Sequence, residues 1–360
     1  MILGTGFSQK QHVPALKKLR SEFRVVGVFG RTEDKARAIT EQLPGHPVAY
    51  TDLDRALGHD GLEAVDVALP ILPAADSVQA AFDHGLHVFS EKPIAGSVER
   101  ARELLAAHAL RPDRVWCVAE NFRFWPTALL ARDLIESGEI GTPLICHYPT
   151  LLPIKGTPFF ASEWRRRPEY AGGFLLDGGV HDIAALRVMF GPIVEVSAVV
   201  RSVDNELPPA DTLAATLRFD SGVVASYTAS YALHPFEITK RSVIRAAARG
   251  GVRALRDRFG RKHVVGTRGS LFFLRDRVEL VTGLRRTVFK AAKSDVMADE
   301  LLDFHGAVRE RRPLRNTPEE ALRDLAAIEA ILKASEERAV ISLRDVPVPA
   351  PSPPVGAPSR

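Results

Sequence analysis

Short apolar runs alternate with amphipathic stretches through the first third of the chain. The runs have the length and the continuous hydrophobicity of strands that are buried on both faces, and they span residues 24–29, 64–69, 87–90 and 114–119. The stretches between them have helical periodicity and span residues 33–42, 74–84 and 97–108. Strands that alternate with crossover helices predict a doubly wound parallel sheet, an α/β arrangement.

The pattern changes after Glu120, where strand-like runs begin to follow one another directly. These runs span residues 194–202, 212–219, 223–230, 271–274 and 278–281. The predicted helices around them span residues 126–136, 180–190, 295–311 and 318–338. The tripeptide Asp220-Ser221-Gly222 between two runs is typical of a hairpin. This order predicts an α+β domain with an open, mostly antiparallel sheet.

We therefore expect two domains, residues 1–119 and 120–345, followed by a disordered tail over 346–360 that is rich in Pro, Ala and Ser. The 360 residues are 46% hydrophobic and 26% charged, as in ordinary globular proteins, and no apolar run is long enough to cross a bilayer. The start of the chain lacks the basic and apolar regions of a signal peptide. The shortness of the first apolar run suggests that the natural chain begins further upstream.

Charge and cysteine content narrow the function classes. The net charge of +4 is mild and does not favour a nucleic-acid partner. Basic residues concentrate between Lys240 and Lys262, which we interpret as a solvated insertion, with an anion-binding or partner surface as the alternative. The two cysteines, Cys117 and Cys146, lie in apolar runs, which excludes a disulfide framework and favours the cytoplasm.

The turn Gly4-Thr5-Gly6 follows the first apolar residues and precedes a helical stretch at 13–21. This order suits a dinucleotide, because the first glycine allows a tight turn and the second lets the backbone approach the pyrophosphate at a helix amino end. The third glycine position of that fingerprint is Gln9 here, so a glycine turn without a ligand stays an alternative.

The end of the second strand predicts which dinucleotide binds. NAD sites carry an acid there for the ribose 2′-hydroxyl, whereas this strand ends in Gly30-Arg31-Thr32. Arg31 can pair with a 2′-phosphate and Thr32 can add a hydroxyl, so we expect NADP, with NAD as the second choice. The alternative is a solvated arginine at the start of a helix.

Two further segments carry candidate chemistry. Lys92, in Glu91-Lys92-Pro93, directly follows the run 87–90, and parallel sheets bind ligands at the carboxyl ends of their strands. In the glycine-rich segment 172–181, a helix beginning near Asp177 would place Asp177 and His181 on one face, where His181 can exchange a proton with a substrate oxygen. A helix N-cap for Asp177 and a core position for His181 are the alternatives.

These segments resemble the Gfo/Idh/MocA family of oxidoreductases over nearly the whole chain, most closely a fungal-type NADP-dependent branch. The resemblance rests on Gly4-Thr5-Gly6, residues 85–93, Glu120-Asn121-Phe122-Arg123, residues 172–181 and residues 317–324. It implies a Rossmann domain, in which Lys92 polarises the reacting oxygen, His181 is the acid or base and Asp177 orients it or the substrate. The cofactor-binding residues that it implies are Gly4, Thr5, Gly6, Phe7, Arg31, Thr32, Pro70, Glu91, Lys92, Pro93 and Asn121.

The resemblance also implies partners. The substrate would be a sugar, a polyol or a related carbonyl compound, without a metal ion, and the open sheet of the second domain would form a homodimer or homotetramer. The family departs from this chain at Ala184, where it often has an acid. The alternative function is a non-catalytic dinucleotide sensor or transcriptional co-repressor with the same fold. The presence of Lys92, Asp177 and His181 favours an enzyme.

Overall fold

The computed structural model describes residues 1–6, 10–233, 261–274 and 276–344, which form two compact units. Unit 1 comprises Met1–Phe124 and Ser294–Leu325, and unit 2 comprises Trp125–Lys293 with residues 326–344. The chain therefore returns to unit 1 after the second sheet, whereas the sequence suggests one cut after residue 119. The domain boundaries 1–119 and 120–345 stay predictions, and the tail 346–360 and the basic segment 240–260 lie outside the described residues.

Unit 1 is built on a sheet of six parallel strands in the order β3-β2-β1-β4-β5-β6. The strands are β1 Ile2–Leu3, β2 Gly27–Phe29, β3 Val48–Tyr50, β4 Ala64–Val67, β5 His87–Glu91 and β6 Trp116–Ala119. The helices between them are α1 His12–Lys18, α2 Glu33–Thr40, α3 Leu53–Leu57, α4 Ile71–Asp83 and α5 Val98–Ala109. The predicted doubly wound sheet is confirmed, with β3 as an edge strand that its short, partly exposed sequence does not reveal.

Unit 2 is built on a nine-stranded sheet in the order β14-β13-β12-β11-β7-β10-β9-β8-β15, antiparallel except between β7 and β10. Its strands are β7 Pro143–Leu151, β8 Ile193–Arg201, β9 Thr212–Phe219, β10 Val224–Ser230, β11 Lys262–Gly266, β12 Ser270–Phe273, β13 Arg277–Thr282, β14 Arg285–Lys290 and β15 Ile341–Ser342. Its helices are α6 Pro126–Glu136, α7 Glu163–Arg166 and α8 Phe174–Phe190. The predicted mostly antiparallel α+β architecture is confirmed.

Helix α8 begins six residues before the predicted Val180. Glycines disfavour a helix interior, yet Gly178 lies inside α8 because the helix packs closely against the sheet. A Cβ atom at Gly178 would lie 2.1 Å from the hydroxyl oxygen of Tyr231. Tertiary packing therefore outweighs intrinsic propensity here, and the helix includes both Asp177 and His181.

The chain returns to unit 1 through α9 Val296–Glu310, which precedes α10 Pro318–Glu337. Leu301 and Phe304 of α9 are buried in the same apolar cluster as Ile2, Val28 and Phe89 of the parallel sheet. The segment after α9 adds a backbone bond from the Val118 amide to the carbonyl of residue 316, at 3.2 Å. Among the described residues, the structure has no helix that is both long and apolar enough to cross a membrane.

Candidate functional site

The glycine turn lies between the carboxyl ends of β2 and β4. Gly4 has φ +120°, and a Cβ atom there would lie 2.3 Å from the carbonyl oxygen of Ala68, so only glycine fits. Its amide donates to the carbonyl of Phe29 at 3.0 Å. Gly6 is exposed, with open space where a Cβ atom would stand. The third residue beyond Gly4, Phe7, lies outside the described part of the chain.

The residues that directly follow β2 are exposed and can contact a charged ligand. Thr5 packs against Gly30, where a Cβ atom would lie 2.6 Å from Thr5 Cγ2, so the glycine turn stands directly beside this strand end. Arg31 and Thr32 follow and are both exposed, and the Thr32 side chain makes no capping bond to α2. The first acid, Glu33, accepts from Arg37 Nε at 2.9 Å. The cation nearest to the strand end is therefore Arg31.

Two more predicted cofactor residues lie at the carboxyl edge of the parallel sheet. Pro70 is the N-cap residue of α4, directly after β4, and Asn121 opens a 3₁₀ turn directly after β6. The Asn121 Oδ1 atom is buried, and within the described residues it has no hydrogen-bond partner. A buried acceptor of this kind requires a donor from a ligand or water. Together with the open space at Gly6, it fits a bound dinucleotide.

Lys92 stands at the same edge. Strand β5 extends through Glu91, so Lys92 is the first residue after the strand, and it is half-buried. The Lys92–Pro93 peptide is cis and Pro93 is buried. The sequence prediction of a lysine held at a strand end therefore has its structural counterpart, while its catalytic role stays a prediction.

A fully buried histidine, His12, binds two acids of this edge. Its Nδ1 donates to Asp66 Oδ1 at 2.8 Å and its Nε2 donates to Glu91 Oε1 at 2.8 Å. Burial by itself lowers the pKa of His12, but the carboxylates of Asp66 and Glu91 outweigh it and raise the pKa to about 10. His12 is therefore an imidazolium at neutral pH, and it ties α1 to the ends of β4 and β5.

Another acid, Glu300 of α9, is buried beside this group. Its pKa is raised well above the usual range by burial, and further by Glu91 and Glu120, which favours the protonated form. Asn316 Nδ2 donates to Glu300 Oε1 at 2.9 Å and to the backbone carbonyl of Glu120 at 3.1 Å. The acid side chains at the ends of β4, β5 and β6 thus lie in one buried polar layer.

Helix α8 positions the two predicted residues of unit 2. Asp177 is buried, and its Oδ2 accepts from Arg165 Nε at 2.7 Å, while the Arg165 guanidinium lies 4.0 Å from the ring centroid of Trp164. Burial, and then the charge of Asp177, raise the pKa of Tyr170. His181 lies one turn further along α8 and is half-exposed, as an acid or base that meets a substrate must be.

Asp182 has a different role from its neighbour His181. It is buried, accepts from the Tyr227 hydroxyl at 3.0 Å, and its Oδ1 lies 3.7 Å from Lys262 Nζ. The ammonium also lies 4.0 Å from the ring centroid of Tyr148. Burial lowers the pKa of Lys262, and Asp182 offsets this only in part. Lys262, which the sequence places in a solvated insertion, is therefore mostly covered by unit 2, with 16% of its side chain exposed.

Two of the segments that carried the family resemblance meet in unit 1. Arg123, from the segment after β6, is buried and forms an ion pair with Asp324 of α10. Its Nη1 also lies 3.5 Å from Glu320 Oε2. This part of the sequence pattern therefore encodes packing.

The predicted catalytic residues divide between the units: Lys92 belongs to unit 1, and Asp177 and His181 belong to unit 2. Sequence reasoning missed His12, Arg165 and the buried end of the basic segment. One available signal was Asp66, an acid inside an apolar strand, which indicates a buried partner. No group of three or more His, Cys, Asp or Glu in the described ranges could hold a metal ion.

Comparison with known protein families gives two matches that together cover most of the chain. The family model described as an oxidoreductase family with an NAD-binding Rossmann fold matches residues 1–118. The model for the C-terminal alpha/beta domain of the Gfo/Idh/MocA oxidoreductase family matches residues 132–343. The two matches fall on the parallel sheet and on the mostly antiparallel sheet.

Three individual proteins are similar to this chain over most of its length. An uncharacterized protein of Saccharomyces cerevisiae is 30% identical over 93% of this chain and 95% of its own length. A D-xylose 1-dehydrogenase (NADP(+)) of Haloferax volcanii is 33% identical over 64% of this chain and 68% of its own. The crystal structure of an oxidoreductase from Thermotoga maritima superimposes with a TM-score of 0.83 at 29% identity, covering 95% of this chain and 97% of that chain.

Proposed function

Because the chain belongs to the Gfo/Idh/MocA family of oxidoreductases, we propose that it is a dehydrogenase or reductase that prefers NADP(H) and acts on a sugar, a polyol or a related carbonyl compound. One observation carries the proposal. At the carboxyl edge of the parallel sheet, the glycine turn, the orphan acceptor of Asn121 and the half-buried Lys92 follow β1, β6 and β5 respectively. Doubly wound sheets bind dinucleotides at this edge.

The preference for NADP(H) rests on the end of β2. Arg31 and Thr32 are exposed beside the glycine turn, and Glu33, the nearest acid, is engaged by Arg37. A guanidinium can bind a 2′-phosphate through two parallel hydrogen bonds, whereas an NAD site needs an acid for the 2′-hydroxyl. The relative from Haloferax volcanii is named as an NADP(+) enzyme, which supports the same choice.

Arg31→Ala tests the cofactor preference. We expect the Kd for NADPH to rise about tenfold or more, because a hydrogen bond between charged groups is lost, while the Kd for NADH changes little. Fluorescence titration with both nucleotides measures this, and Arg55→Ala, an exposed arginine on α3, is the matched control. Equal weakening of both nucleotides in Arg31→Ala would refute the role of Arg31.

The residues have separate roles in the proposed reaction. When bound, the nicotinamide cofactor supplies or accepts the hydride. Lys92 donates a hydrogen bond to the reacting oxygen and stabilises negative charge that develops on it. His181 delivers a proton to that oxygen during reduction and removes it during oxidation. Asp177, fixed by Arg165, orients His181 or the substrate.

Lys92→Met tests the catalytic role of Lys92. NADPH binding should stay within about threefold of wild type, whereas turnover should fall by about a hundredfold or more, because electrostatic stabilisation of the developing charge is lost. Absorbance of the nicotinamide over a panel of aldoses and polyols, beginning with aldopentoses, measures turnover. Lys17→Met, an exposed lysine on α1, is the control. Full turnover in Lys92→Met would exclude this role.

The same panel separates the two functions that the fold allows. A sensor or co-repressor would bind NADPH and show no turnover with any substrate. An enzyme would show turnover that depends on both Lys92 and His181. The retention of all three predicted catalytic residues favours the enzyme.

We also propose that the chain forms a homodimer or homotetramer through the outward face of the second sheet. The strand pairing places exposed Ile145 beside exposed Val224, and exposed Val199 lies on the same face of β8. The same face also carries the small residues Thr216 and Ser226, and the ion pair between Glu195 and Arg218. A broad, flat face with exposed apolar side chains is typical of an interface between copies.

Sedimentation analysis of Thr216→Arg tests this assembly. A charged side chain on this face should convert the oligomer to a monomer, while Lys333→Met on the exposed side of α10 should not. A monomeric wild-type protein would refute the proposal.

A cytosolic location is proposed as well, because Cys117 and Cys146 are both free and buried, as a reducing compartment allows.

A further inference from the structure

His12 joins three elements that meet at the carboxyl edge of the parallel sheet. It is the first residue of α1, the helix that follows the glycine turn. Its partners Asp66 and Glu91 lie 54 and 79 residues further along the chain, in β4 and at the last position of β5. The imidazole ring also packs edge-on against Phe89, with the ring centroids 6.0 Å apart. The His12 side chain is therefore held in one orientation, since its exposed fraction is 0% and both ring nitrogens are bonded.

The bond to Glu91 acts on the backbone that carries Lys92. Adjacent side chains of an extended chain point to opposite sides, so an anchor on Glu91 limits the rotation of the next residue. Ser90 is fixed as well, because its Oγ accepts from Trp116 Nε1 at 3.0 Å. The last two residues of β5 are thus bound by side chains from two different elements, immediately before Lys92.

The charges around His12 make a cation necessary at this point. Asp66 and Glu91 both accept from the ring, and Glu120 and Glu300 are the other acids near this layer. Glu300 favours its protonated form, so two carboxylates face one imidazolium. Without the cation, the two carboxylates would repel each other in a buried environment, and Glu91 would move away from Asp66.

We propose that His12 is a positioning residue for Lys92: its imidazolium, bound between Asp66 and Glu91, fixes the end of β5 and with it the place of the lysine ammonium. This inference rests on the proposed function, because it assigns a use to the position of Lys92. His12 touches neither cofactor nor substrate in this role. Its effect reaches the reaction only through Glu91 and the backbone between Glu91 and Lys92.

The experiment follows Lys92 directly in His12→Leu. Reductive methylation with ¹³C-formaldehyde labels the lysines, and Lys92→Arg assigns the resonance of Lys92. In His12→Leu we expect this resonance to shift. We also expect kcat to fall by about a hundredfold with the substrate KM changed much less, because a misplacement of about 1 Å has such an effect. NADPH binding is measured in parallel. His12→Gln, whose amide can still donate to a carboxylate, should recover part of the rate.

Controls make each outcome decisive. His59→Leu removes another histidine of unit 1, a half-buried one whose Nδ1 lies 2.7 Å from the Tyr50 hydroxyl on the edge strand β3, and it should leave the Lys92 resonance unchanged. If His12→Leu does not fold, Glu91→Gln replaces it and must move the resonance in the same direction. An unchanged resonance would overturn the positioning role. If wild type binds neither nucleotide, or Lys92→Met keeps full turnover, the proposed function fails instead.

Discussion

The pKa of His12 in unit 1 and the pKa of Lys262 in unit 2 are shifted in opposite directions. In unit 1, two carboxylates lie 2.8 Å from the nitrogens of His12, and the pKa of His12 rises to about 10. In unit 2, a single carboxylate lies 3.7 Å from Lys262, and the pKa of Lys262 falls. Burial lowers both pKa values, so the number and the distance of the carboxylates decide the sign of the shift.

This difference indicates how strongly each unit depends on its cation. The charge of His12 is fixed, because its removal leaves two acids facing each other without compensation. The charge of Lys262 is held less firmly, because its desolvation outweighs the attraction of Asp182, and Asp182 keeps the hydroxyl of Tyr227 as a donor. Replacing His12 should therefore lower the free energy of unfolding strongly, whereas replacing Lys262 should lower it only slightly.

The largest expected effect is the loss of stability in His12→Leu. Removing one partner of a buried ion pair leaves an uncompensated charge, so the free energy of unfolding should fall by about 3–5 kcal/mol. Urea unfolding followed by circular dichroism measures the change. His108→Leu removes a half-buried histidine that bonds to a backbone carbonyl and should lose clearly less, and equal losses in the two variants would contradict the comparison.

A smaller effect should appear in the wild-type protein as pH rises. The pKa of His12 is about 10 when folded and 6.5 as an ordinary histidine, so its contribution to stability is complete below pH 6.5 and is lost as pH rises toward 10. The loss stays below that of His12→Leu, because the ring remains partly protonated at pH 10. Urea midpoints between pH 7 and 10 should decline in wild type. After subtraction of the His12→Leu profile, a flat difference would refute this assignment.

The smallest effect should follow Lys262→Met. Methionine can pack against Tyr148 and Trp125, over whose rings the lysine ammonium lies now, and Asp182 still accepts from Tyr227. We expect the free energy of unfolding to fall by about 1–2 kcal/mol at most. The same urea assay measures it, with the exposed Lys333→Met as reference. A loss as large as that of His12→Leu would show that the two sites do not differ as described.

The fold was largely predictable because its main strands are short apolar runs with clear turns. Strands β4 and β5 and helix α6 occur within two residues of the predicted positions, since burial on both faces or a proline at a helix start marks them in the sequence. For strand β7 the sequence indicates only an apolar run at Cys146 without bounds, because Leu144, Ile145 and Leu151 lie on exposed positions and obscure the alternation of buried and exposed residues.

The site was predictable only where local sequence carries the signal. Lys92 and the Asp177–His181 spacing stand out because a strand end or one helical turn places them. His12 does not, because its two partners are 54 and 79 residues away and no spacing encodes them. Arg165 could not be predicted as the partner of Asp177 for the same reason, since a loop joins them and only the folded chain shows their contact.

The return of residues 294–325 to unit 1 has a consequence for biosynthesis. Leu301 and Phe304 complete the apolar cluster around Phe89, and Asn316 supplies hydrogen bonds to the segment that follows β6. A nascent chain that has been synthesised only to residue 124 lacks all of them. The ribosome must therefore deliver residues 125–293 of unit 2 before unit 1 can close its own core, and a fragment that ends at residue 124 should need a chaperone to stay dispersed.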